Sequence, residues 1–301
     1  MKNILKWIGI VLGSMIGLVL VAGTVLYFMG NARLIKTYDF PPSNIVIPTD
    51  SASIEYGKHR AESLCEGCHS KDLSGINNWF SAGPLGMVDS ANLTSGVGGV
   101  GQEFTSDEDY VRALRHGIDP EGKPLFMPAV VSTSQLSDQD LGSIIAYVKS
   151  VPPVNHKTNG QNFKPLAKIL LAAGKLGKLP VESVSHKNQI TAPERGVSAE
   201  YGAYLMNTND CHVCHGPNLN GGPFPDPTRK KISPNITPGG ELAFWTEEQF
   251  INAIRTGVTP SGHELDPSFM PWKDFRLFTE DELKAIWLDL QSLPKLNQYT
   301  E

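Results

Sequence analysis

The sequence predicts a mainly α-helical protein with an N-terminal transmembrane helix followed by two tandem domains of one helical type. Three observations predict this architecture: an uncharged apolar run close to the N-terminus, a repeat of the remaining sequence, and apolar residues at helical spacing. The 301 residues suffice for two ordinary domains, and 40% hydrophobic with 19% charged residues is typical of a globular chain. No alternating pattern predicts a β-strand.

The first element, residues 1–30, is predicted to be a transmembrane signal anchor. Lys2 and Lys6 precede a stretch from Trp7 to Met29 that carries no charge. At about 1.5 Å per residue, this stretch exceeds the ~30 Å hydrocarbon core of a bilayer. A cleaved signal peptide is the alternative, but its apolar region spans only about 7–15 residues and ends at a small-residue cleavage site. We therefore expect an uncleaved anchor.

The rest of the chain is predicted to consist of two domains joined by a linker. Residues 31–52, which contain Pro41, Pro42 and Pro48, are expected to form a tether. Residues 53–152 and 197–294 repeat one another in order, with an interdomain linker at 153–196 and a tail at 295–301. The matched pairs are Ser53 and Ser198, Glu55 and Glu200, Tyr56 and Tyr201, Gly57 and Gly202, Leu73 and Leu219, Gly75 and Gly221, Ala113 and Ala253, Arg115 and Arg255, and Gly117 and Gly257.

Each copy is expected to contain three principal helices. In the first copy they are predicted at Ile54–Leu64, from Thr105 to Arg115, and from Ser137 to Val148. The equivalent helices in the second copy are predicted at Ala199–Asn209, from Thr246 to Gly257, and from Thr279 to Pro294. The linker contains a predicted short helix, Leu166–Leu176, and is expected to pack on both domains; a partner-docking segment is the alternative.

The chemistry is carried by two C-x-x-C-H motifs, which use every cysteine of the chain. They are Cys65, Cys68 and His69, and Cys211, Cys214 and His215. This spacing is the attachment motif of c-type haem, with two thiols for the porphyrin vinyl groups and an imidazole for the iron. A zinc site would usually need further ligands at similar spacing, and a redox pair is the other alternative. We predict two covalently bound haem c groups, and so an extracytoplasmic location, because such haem attachment occurs outside the bacterial cytoplasm.

The second axial ligand of each iron is predicted to be a methionine. Met127 and Met270 occupy matching positions, and each precedes a proline that restricts it to extended geometry. A thioether is a common haem ligand that raises the reduction potential. Core packing is the alternative for both methionines, and Met87 and Met206 are the competing ligands.

Other matched polar residues have two interpretations each. Asn92 and Thr94, with Asn235 and Thr237, could bond haem propionates or cap turns. Arg115 and Arg255 could neutralise propionates, but each also lies near a helix C-terminus, where a cation is favourable. We expect His212 to face away from the iron. Five further histidines without counterparts in the repeat are predicted to be surface residues: His59, His116, His156, His186 and His263. Of these, His116 and His263 are expected to lie nearest to a haem.

Each copy resembles a class I cytochrome c domain. The resemblance rests on the C-x-x-C-H motif, the later Met-Pro pair and a C-terminal helix, with an N-terminal Tyr-Gly pair and a C-terminal aromatic. The stretches Asn92–Pro128 and Asn235–Pro271 are also similar to the cytochrome subunits of membrane-bound bacterial alcohol and aldehyde dehydrogenases, which typically carry three haem domains. The family implies electron transfer in or beside a respiratory chain.

The function predicted from these features is that of an electron carrier rather than an enzyme. It would pass single electrons from a membrane-associated dehydrogenase or quinol-oxidising complex to a downstream cytochrome or terminal oxidase. The anchor would place it in the inner membrane, with the haem domains on the periplasmic side. A dihaem peroxidase is the alternative, but it needs an open iron face. The net charge of -5 argues against a nucleic-acid partner.

Overall fold

The N-terminal apolar run forms one long helix. The computed structural model describes residues 2–224, 229 and 231–300, and its first helix, α1, spans Lys2–Leu34. Among these residues, α1 is the one helix long and apolar enough to cross a membrane, with a mean hydropathy of 2.3 over its best window. The exposure of its apolar side chains agrees with a membrane span.

Residues 51–150 form what we call the first helical unit. Its helices are α2 (Ser51–Leu64), α3 (Glu66–His69), α4 (Asp107–His116), α5 (Val130–Thr133) and α6 (Asp138–Ser150). Side-chain caps start the long helices, because Asp50, Ser106 and Ser137 each accept a hydrogen bond from a backbone N–H three residues later. Gly117 ends α4 in the left-handed conformation. The three helices predicted here are confirmed.

Residues 199–292 form the second helical unit, whose described residues contain five helices in the same order; its first helix is shorter than α2, and its last three match α4, α5 and α6 in length. They are α8 (Ala199–Thr208), α9 (Cys211–His215), α10 (Glu247–Thr256), α11 (Trp272–Phe275) and α12 (Glu280–Ser292). Ser198, Thr246 and Thr279 cap the three long helices, and Gly257 ends α10 in the left-handed conformation. The three helices predicted in the second copy are also confirmed.

In each unit the first and last helices cross at a glycine. A Cβ on Gly57 of α2 would overlap the carbonyl of Ser143 in α6, and one on Gly202 of α8 would overlap the carbonyl of Ala285 in α12. The glycines therefore allow backbone-to-backbone approach. The crossings organise two separate hydrophobic cores, in which α6 contributes Leu141 and Ile144 and α12 contributes Leu283 and Ile286, among others.

The expectation that the chain has no strands was wrong. Strands β1 (Ile76–Ser81), β2 (Gly86–Ser90) and β3 (Gln161–Phe163) form an antiparallel sheet in the order β1-β2-β3. A second pair, β4 (Gly222–Pro223) and β5 (Ile232–Ser233), lies in the second unit. All six residues of β1 are exposed, so it has no buried face to impose an alternating pattern.

The segment expected to be a linker contacts both helical units. Its helix α7 is shorter than expected, Pro165–Ala172, and packs against the end of α1. Ile190 exchanges hydrogen bonds with Asp138 of the first unit, whereas Ala192 packs against the core of the second.

The predicted tether has neither helix nor strand between the end of α1 and the start of α2 at Ser51, but it lies along the first unit. Ser43 donates to the Glu108 carboxylate, and Ile45 and Ile47 pack on the first core. The proline-containing segment therefore covers part of the first unit and does not hang free between it and α1.

Candidate haem-binding site

Each C-x-x-C-H motif forms one short helical turn directly after the first helix of its unit. In the first motif the backbone N–H groups of Cys68 and His69 donate to the Cys65 carbonyl at 3.2 and 2.9 Å. The second motif coincides with α9, which follows Asp210 in the left-handed conformation. Both cysteines and the histidine of each motif thus lie within one compact turn, as covalent haem attachment requires.

The four thiols are free and have the electrostatics of buried groups. Burial raises the pKa of Cys65 and of Cys211 to about 12 and that of Cys68 to about 11, and it also raises the pKa of Cys214. Reactive C-x-x-C pairs in redox enzymes instead have a lowered pKa. Nor do the described residues contain a group of three or more His, Cys, Asp or Glu side chains that could hold a metal ion. The zinc and redox alternatives therefore lack support.

The two motif histidines are held in the same way. His69 Nδ1 lies 2.7 Å from the Ala91 carbonyl, and His215 Nδ1 lies 2.9 Å from the Pro234 carbonyl. A carbonyl can only accept, so each Nδ1 carries the proton and each Nε2 keeps its lone pair. Burial lowers the pKa of both imidazoles, which favours this neutral form. A neutral imidazole oriented through its second nitrogen is the usual state of a metal-ligating histidine.

A strained leucine follows each motif, and its role was not predicted from the sequence. Leu73 and Leu219 have φ of 57° and 58°, although both side chains are buried. Each leucine carbonyl accepts from the segment that follows the histidine's acceptor, from Leu93 at 2.8 Å and from Ile236 at 2.9 Å. These left-handed leucines fix the loop that holds the histidine. Their recurrence in the repeat was the one signal available in the sequence.

Of the two interpretations of the Asn-x-Thr pairs, the structure favours turn capping. The Oδ1 atoms of Asn92 and Asn235 accept from the backbone and hydroxyl of Thr94 and Thr237, respectively, at 2.8–2.9 Å. Their amide groups donate to backbone carbonyls of the segment after the last helix, including Val154. The side chains are thus engaged in holding the histidine loop to that segment.

A matched turn leads to each of the two predicted methionine ligands. Leu125 N–H donates to the Gly117 carbonyl at 2.8 Å, and Leu265 N–H donates to the Gly257 carbonyl at 2.7 Å. Beyond each turn the methionine is half-buried. Met270 packs against the second core, as does Cys211. Met127 is half-buried just before α5, whose Val130 rests on Gly117.

The structure gives different surroundings to the two competing methionines. Met206 is 1% exposed on α8 and belongs to the second hydrophobic core. Met87 lies on β2, where it pairs with Ser81 and Asn162. Met206 therefore has a packing role that accounts for it, and Met87 belongs to a sheet that has no equivalent of its size among the described residues of the second unit.

The matched arginines bind backbone carbonyls. Arg115 is fully buried and donates to the Ser134 and Leu136 carbonyls at 2.9 and 2.5 Å, and it pairs with Asp138 at 2.8 Å. Arg255 donates to the Arg276 carbonyl. Both therefore tie the helix before the methionine to the loop after it, and the hydrogen bonds of both are structural.

The unmatched histidines were predicted to lie at the surface, but not all of them do. His116 is fully buried, its ring stacks on Phe40 at 4.4 Å, and its Nδ1 lies 3.2 Å from that of His186. That prediction was wrong for His116 because the tether and the linker cover it. His59 is half-buried and bonds Glu282, whereas His263 is exposed.

The two units meet through reciprocal contacts. In one, His59 Nε2 of α2 lies 2.8 Å from a Glu282 oxygen of α12. In the other, the Tyr204 hydroxyl of α8 donates to an Asp140 oxygen of α6 at 2.7 Å. His59 and Tyr204 are equivalent in the repeat, and each acid is the third residue of its helix. Such exchange of partners is the mark of an approximate two-fold interface.

The motif turns themselves lie at this interface. A Cβ on Gly67 would contact the Asp274 carboxylate of α11 at 3.3 Å, and Asp210 bonds the Ser132 hydroxyl of α5. Each cysteine motif therefore abuts the short helix that follows the Met-Pro pair of the other unit. Desolvation raises the pKa of both carboxyl groups, Asp210 and Asp274.

Comparison with known proteins places the segment with the first C-x-x-C-H motif in a family. Residues 52–148 match the family described as cytochrome c oxidase, cbb3-type, subunit III. That part of the chain is a cytochrome c domain, a haem-binding domain of electron-transfer proteins.

Relatives match a larger part of the chain. The chain is 25% identical over 291 residues to the fructose dehydrogenase cytochrome subunit of Gluconobacter japonicus, and the aligned region covers 90% of this chain and 58% of that protein. It is 26% identical over 274 residues to an alcohol dehydrogenase (quinone) cytochrome c subunit of Gluconacetobacter polyoxogenes, covering 81% and 57%. The chain thus spans less than two thirds of either relative.

Proposed function

We propose that this chain is a membrane-anchored dihaem cytochrome that carries single electrons. One haem c would be attached to Cys65 and Cys68, with His69 and Met127 as axial ligands. The other would be attached to Cys211 and Cys214, with His215 and Met270. A c-type haem supplies a reversible one-electron iron couple. The observation that carries the proposal is the identical hydrogen bonding of both motif histidines.

The residues present fit such a group in both units. The helical turn presents two free thiols, and the Nδ1 bond fixes a neutral imidazole with Nε2 available. The half-buried methionines, held by a matched turn, supply a soft ligand on each unit. Because the protein would supply both axial ligands, neither unit offers a site where peroxide could bind, and the peroxidase alternative has no observation in its favour.

The interface supports electron exchange between the units. Each cysteine motif lies against the helix after the other unit's Met-Pro pair, so attachment at both motifs would bring both cofactors to the shared interface. Asp140 and Glu282, which are 1% and 5% exposed, help to fix the orientation of the helices. A fixed orientation suits outer-sphere transfer, since little has to rearrange between oxidation states.

The location and partners of the chain follow from α1 and from the relatives. We propose that α1 anchors the chain in the inner membrane with the helical units on the periplasmic side. A membrane-associated dehydrogenase is the proposed electron donor, because the relatives are named as dehydrogenase subunits. A quinol-oxidising complex is the other donor, and a downstream cytochrome or terminal oxidase is the acceptor.

The number of haems is tested by mass spectrometry of the denatured protein. We expect the mass of the chain plus two haems, and a Cys211→Ala/Cys214→Ala variant should retain one. Cys65→Ala/Cys68→Ala is the matched variant of the first unit. A single added haem in the unaltered protein would contradict the dihaem proposal.

The axial methionines are tested by substitution and spectroscopy. Met127→Ala and Met270→Ala should each remove part of the near-infrared band of methionine-ligated ferric haem and should lower one reduction potential, because a neutral thioether favours ferrous iron. Met87→Ala should leave the band intact. If Met127→Ala leaves it unchanged and Met87→Ala does not, the assignment in the first unit is wrong.

The carrier role is tested by turnover of the reduced protein with hydrogen peroxide. We expect no faster oxidation by peroxide than in a haem protein with two protein ligands, and a gain in Met127→Ala and Met270→Ala as an iron face opens. Rapid peroxide turnover in the unaltered protein, without gain in these variants, would favour the peroxidase instead.

A further inference from the structure

The linker between the units forms a basic and apolar surface at the end of α1. No acidic residue occurs from Leu141 to Val181, although the whole chain has a net charge of -5. Within that stretch Lys164, Lys175 and Lys178 are exposed. Leu166 and Leu176 are each 42% exposed among these lysines. Clustered lysines with exposed apolar side chains are typical of segments that lie in a membrane interface.

The position of this segment along α1 is set by close backbone contact. A Cβ on Gly30 would overlap the carbonyl of Lys168, so α7 touches the anchor directly after the apolar stretch Trp7–Met29 and three residues before Arg33, the first charge that follows it. Lys168 Nζ donates to Asn31 Oδ1 at 2.8 Å, and Arg33 donates to the Leu171 carbonyl at 2.7 Å. If Trp7–Met29 fills the hydrocarbon core, α7 lies at the level of the lipid headgroups.

A β-hairpin extends the same surface. Strand β1 exposes Trp79 by 36% and Phe80 by 46%, and the turn after it meets the start of α7. Lys164 N–H donates to the Leu85 carbonyl at 3.0 Å, and its Nζ donates to the Gly83 carbonyl at 3.2 Å. Aromatic residues are enriched at the boundary between membrane and water.

A cleft lies between this surface and the anchor. It has a volume of about 300 Å³ and is lined by Asn31, Leu34, Gln161, Phe163 and Lys168, among others. Amide groups and an ammonium beside apolar side chains suit a phospholipid headgroup, whose phosphate accepts hydrogen bonds while its glycerol is less polar.

We propose that residues 164–178 and the hairpin 76–90 form a collar around the exit of α1 that binds anionic phospholipid headgroups. The proposal rests on the proposed role of α1 as a membrane anchor. Because α7 is held to α1 and the sheet is held to α7, binding of the collar would hold the first helical unit against the bilayer. That unit would then present its motif to membrane-bound partners at a fixed height.

The test uses the full chain in nanodiscs made of phosphatidylcholine and phosphatidylglycerol. A trace of phosphatidylglycerol with a photoreactive group near its headgroup is crosslinked, and the modified peptides are mapped by mass spectrometry. We expect crosslinks in residues 164–178 and 76–90, in addition to those in α1. The region of Phe244 in the second unit, which is 87% exposed, gives the background for an exposed apolar residue.

The charge-reversal variant Lys175→Glu/Lys178→Glu separates electrostatic binding from mere proximity. We expect its collar crosslinks to fall by about fivefold or more for each lysine lost, and high salt to produce a similar fall. The matched control, Lys71→Glu/Lys295→Glu, alters two exposed lysines outside the collar and should leave the yield unchanged.

Each outcome decides between distinct explanations. Crosslinks in α1 together with background yield in the collar would overturn the collar and leave the anchor in place. Background yield in both would overturn the anchor as well. Protection of the collar from solvent exchange only after a dehydrogenase is added would assign this surface to a protein partner and overturn the lipid proposal.

Discussion

The buried carboxylate of Asp140 offers the sharpest test of how the two helical units are held together. It is 1% exposed and accepts hydrogen bonds from Tyr56 at 3.0 Å, Tyr204 at 2.7 Å and Arg195 at 3.0 Å. Tyr56 belongs to the same unit, Tyr204 to the other and Arg195 to the linker. Loss of this one acceptor would therefore leave three donors in three parts of the chain without their partner.

We expect Asp140→Ala to lower the free energy of unfolding by about 3 kcal/mol, the low end of the cost of removing one member of a buried charged pair. The low end applies because Arg195 is partly exposed and keeps some hydration. At roughly 2–4 °C per kcal/mol for a folded body of 150–250 residues, the melting temperature should fall by about 6–12 °C. Calorimetry of the detergent-solubilised, oxidised protein measures this shift.

The variant Tyr204→Phe tests the contribution of the interface separately from that of α6, the helix that carries Asp140. Its hydroxyl donates to Asp140 and accepts from Ser137 N–H at 2.9 Å, whereas the Ser137 cap of α6 is formed within the first unit. This variant should lower the melting temperature by a smaller amount. It should also slow electron equilibration between the units, since the interface is what it loosens. Glu55→Gln, on an exposed side chain of α2, is the control and should change neither quantity.

One result would refute this reasoning. If Asp140→Ala melted within about a degree of the unaltered protein, less than about 0.5 kcal/mol would be assigned to the network, and other contacts would have to hold the units together.

Three further predictions concern single features. Stability should fall as the pH falls from 6.5 towards 4, because burial and nearby positive charge lower the pKa of His116 to about 4 in the folded protein. Below pH 6.5 the unfolded chain therefore binds a proton that the folded chain does not, and the loss of stability has a ceiling of about 3 kcal/mol. In His116→Gln the melting temperature should depend less on pH over this range. Gly57→Ala should destabilise the first unit by about 1–3 kcal/mol or more by forcing α2 away from the Ser143 carbonyl, measured by chemical denaturation; an unaltered midpoint would contradict this close approach. Met206→Ala should cost about 2–5 kcal/mol as a cavity in the second core, yet leave the haem spectrum intact; a lost near-infrared band would make Met206 a ligand.

The long helices could be predicted from sequence because their determinants are local. Ser106 and Ser137 cap the helices that follow them, and Gly117 ends α4 where a residue with positive φ is required. The repeat strengthened these predictions, since Thr246 and Gly257 mark the same ends in the second unit. The compact turn of each C-x-x-C-H motif also follows from local spacing.

The sheet could not be predicted because its determinants are distant. Strand β2 pairs with β3, whose Asn162 lies 75 residues after Met87 in the chain. The exposed β1 buries neither face, and its register shifts between Ile76 and Phe80, so no period of two appears in the sequence. The burial of His116 was missed for a similar reason, because Phe40 and His186 cover it from the tether and the linker.

The contacts of Asp140 and Glu282 across the interface between the units were not predicted from the sequence. Asp140 and Glu282 each occupy the third position of a helix, where an acid is expected to cap the first turn. In the folded chain both also reach across to the other unit, Asp140 to Tyr204 and Glu282 to His59. The exchange of partners preserves the two-fold arrangement, whereas the pairs themselves differ in chemistry.

This difference makes the two units inequivalent at a symmetric interface. Tyr204 donates a neutral hydroxyl, and the Asp140 carboxylate also has Arg195 as a charged partner. Glu282 instead faces the imidazole of His59, and their hydrogen bond helps to lower the pKa of Glu282. Equivalent positions thus have chemically different partners at the interface between the units. In the proposed electron carrier, these pairs are a physical source of inequality between the two units.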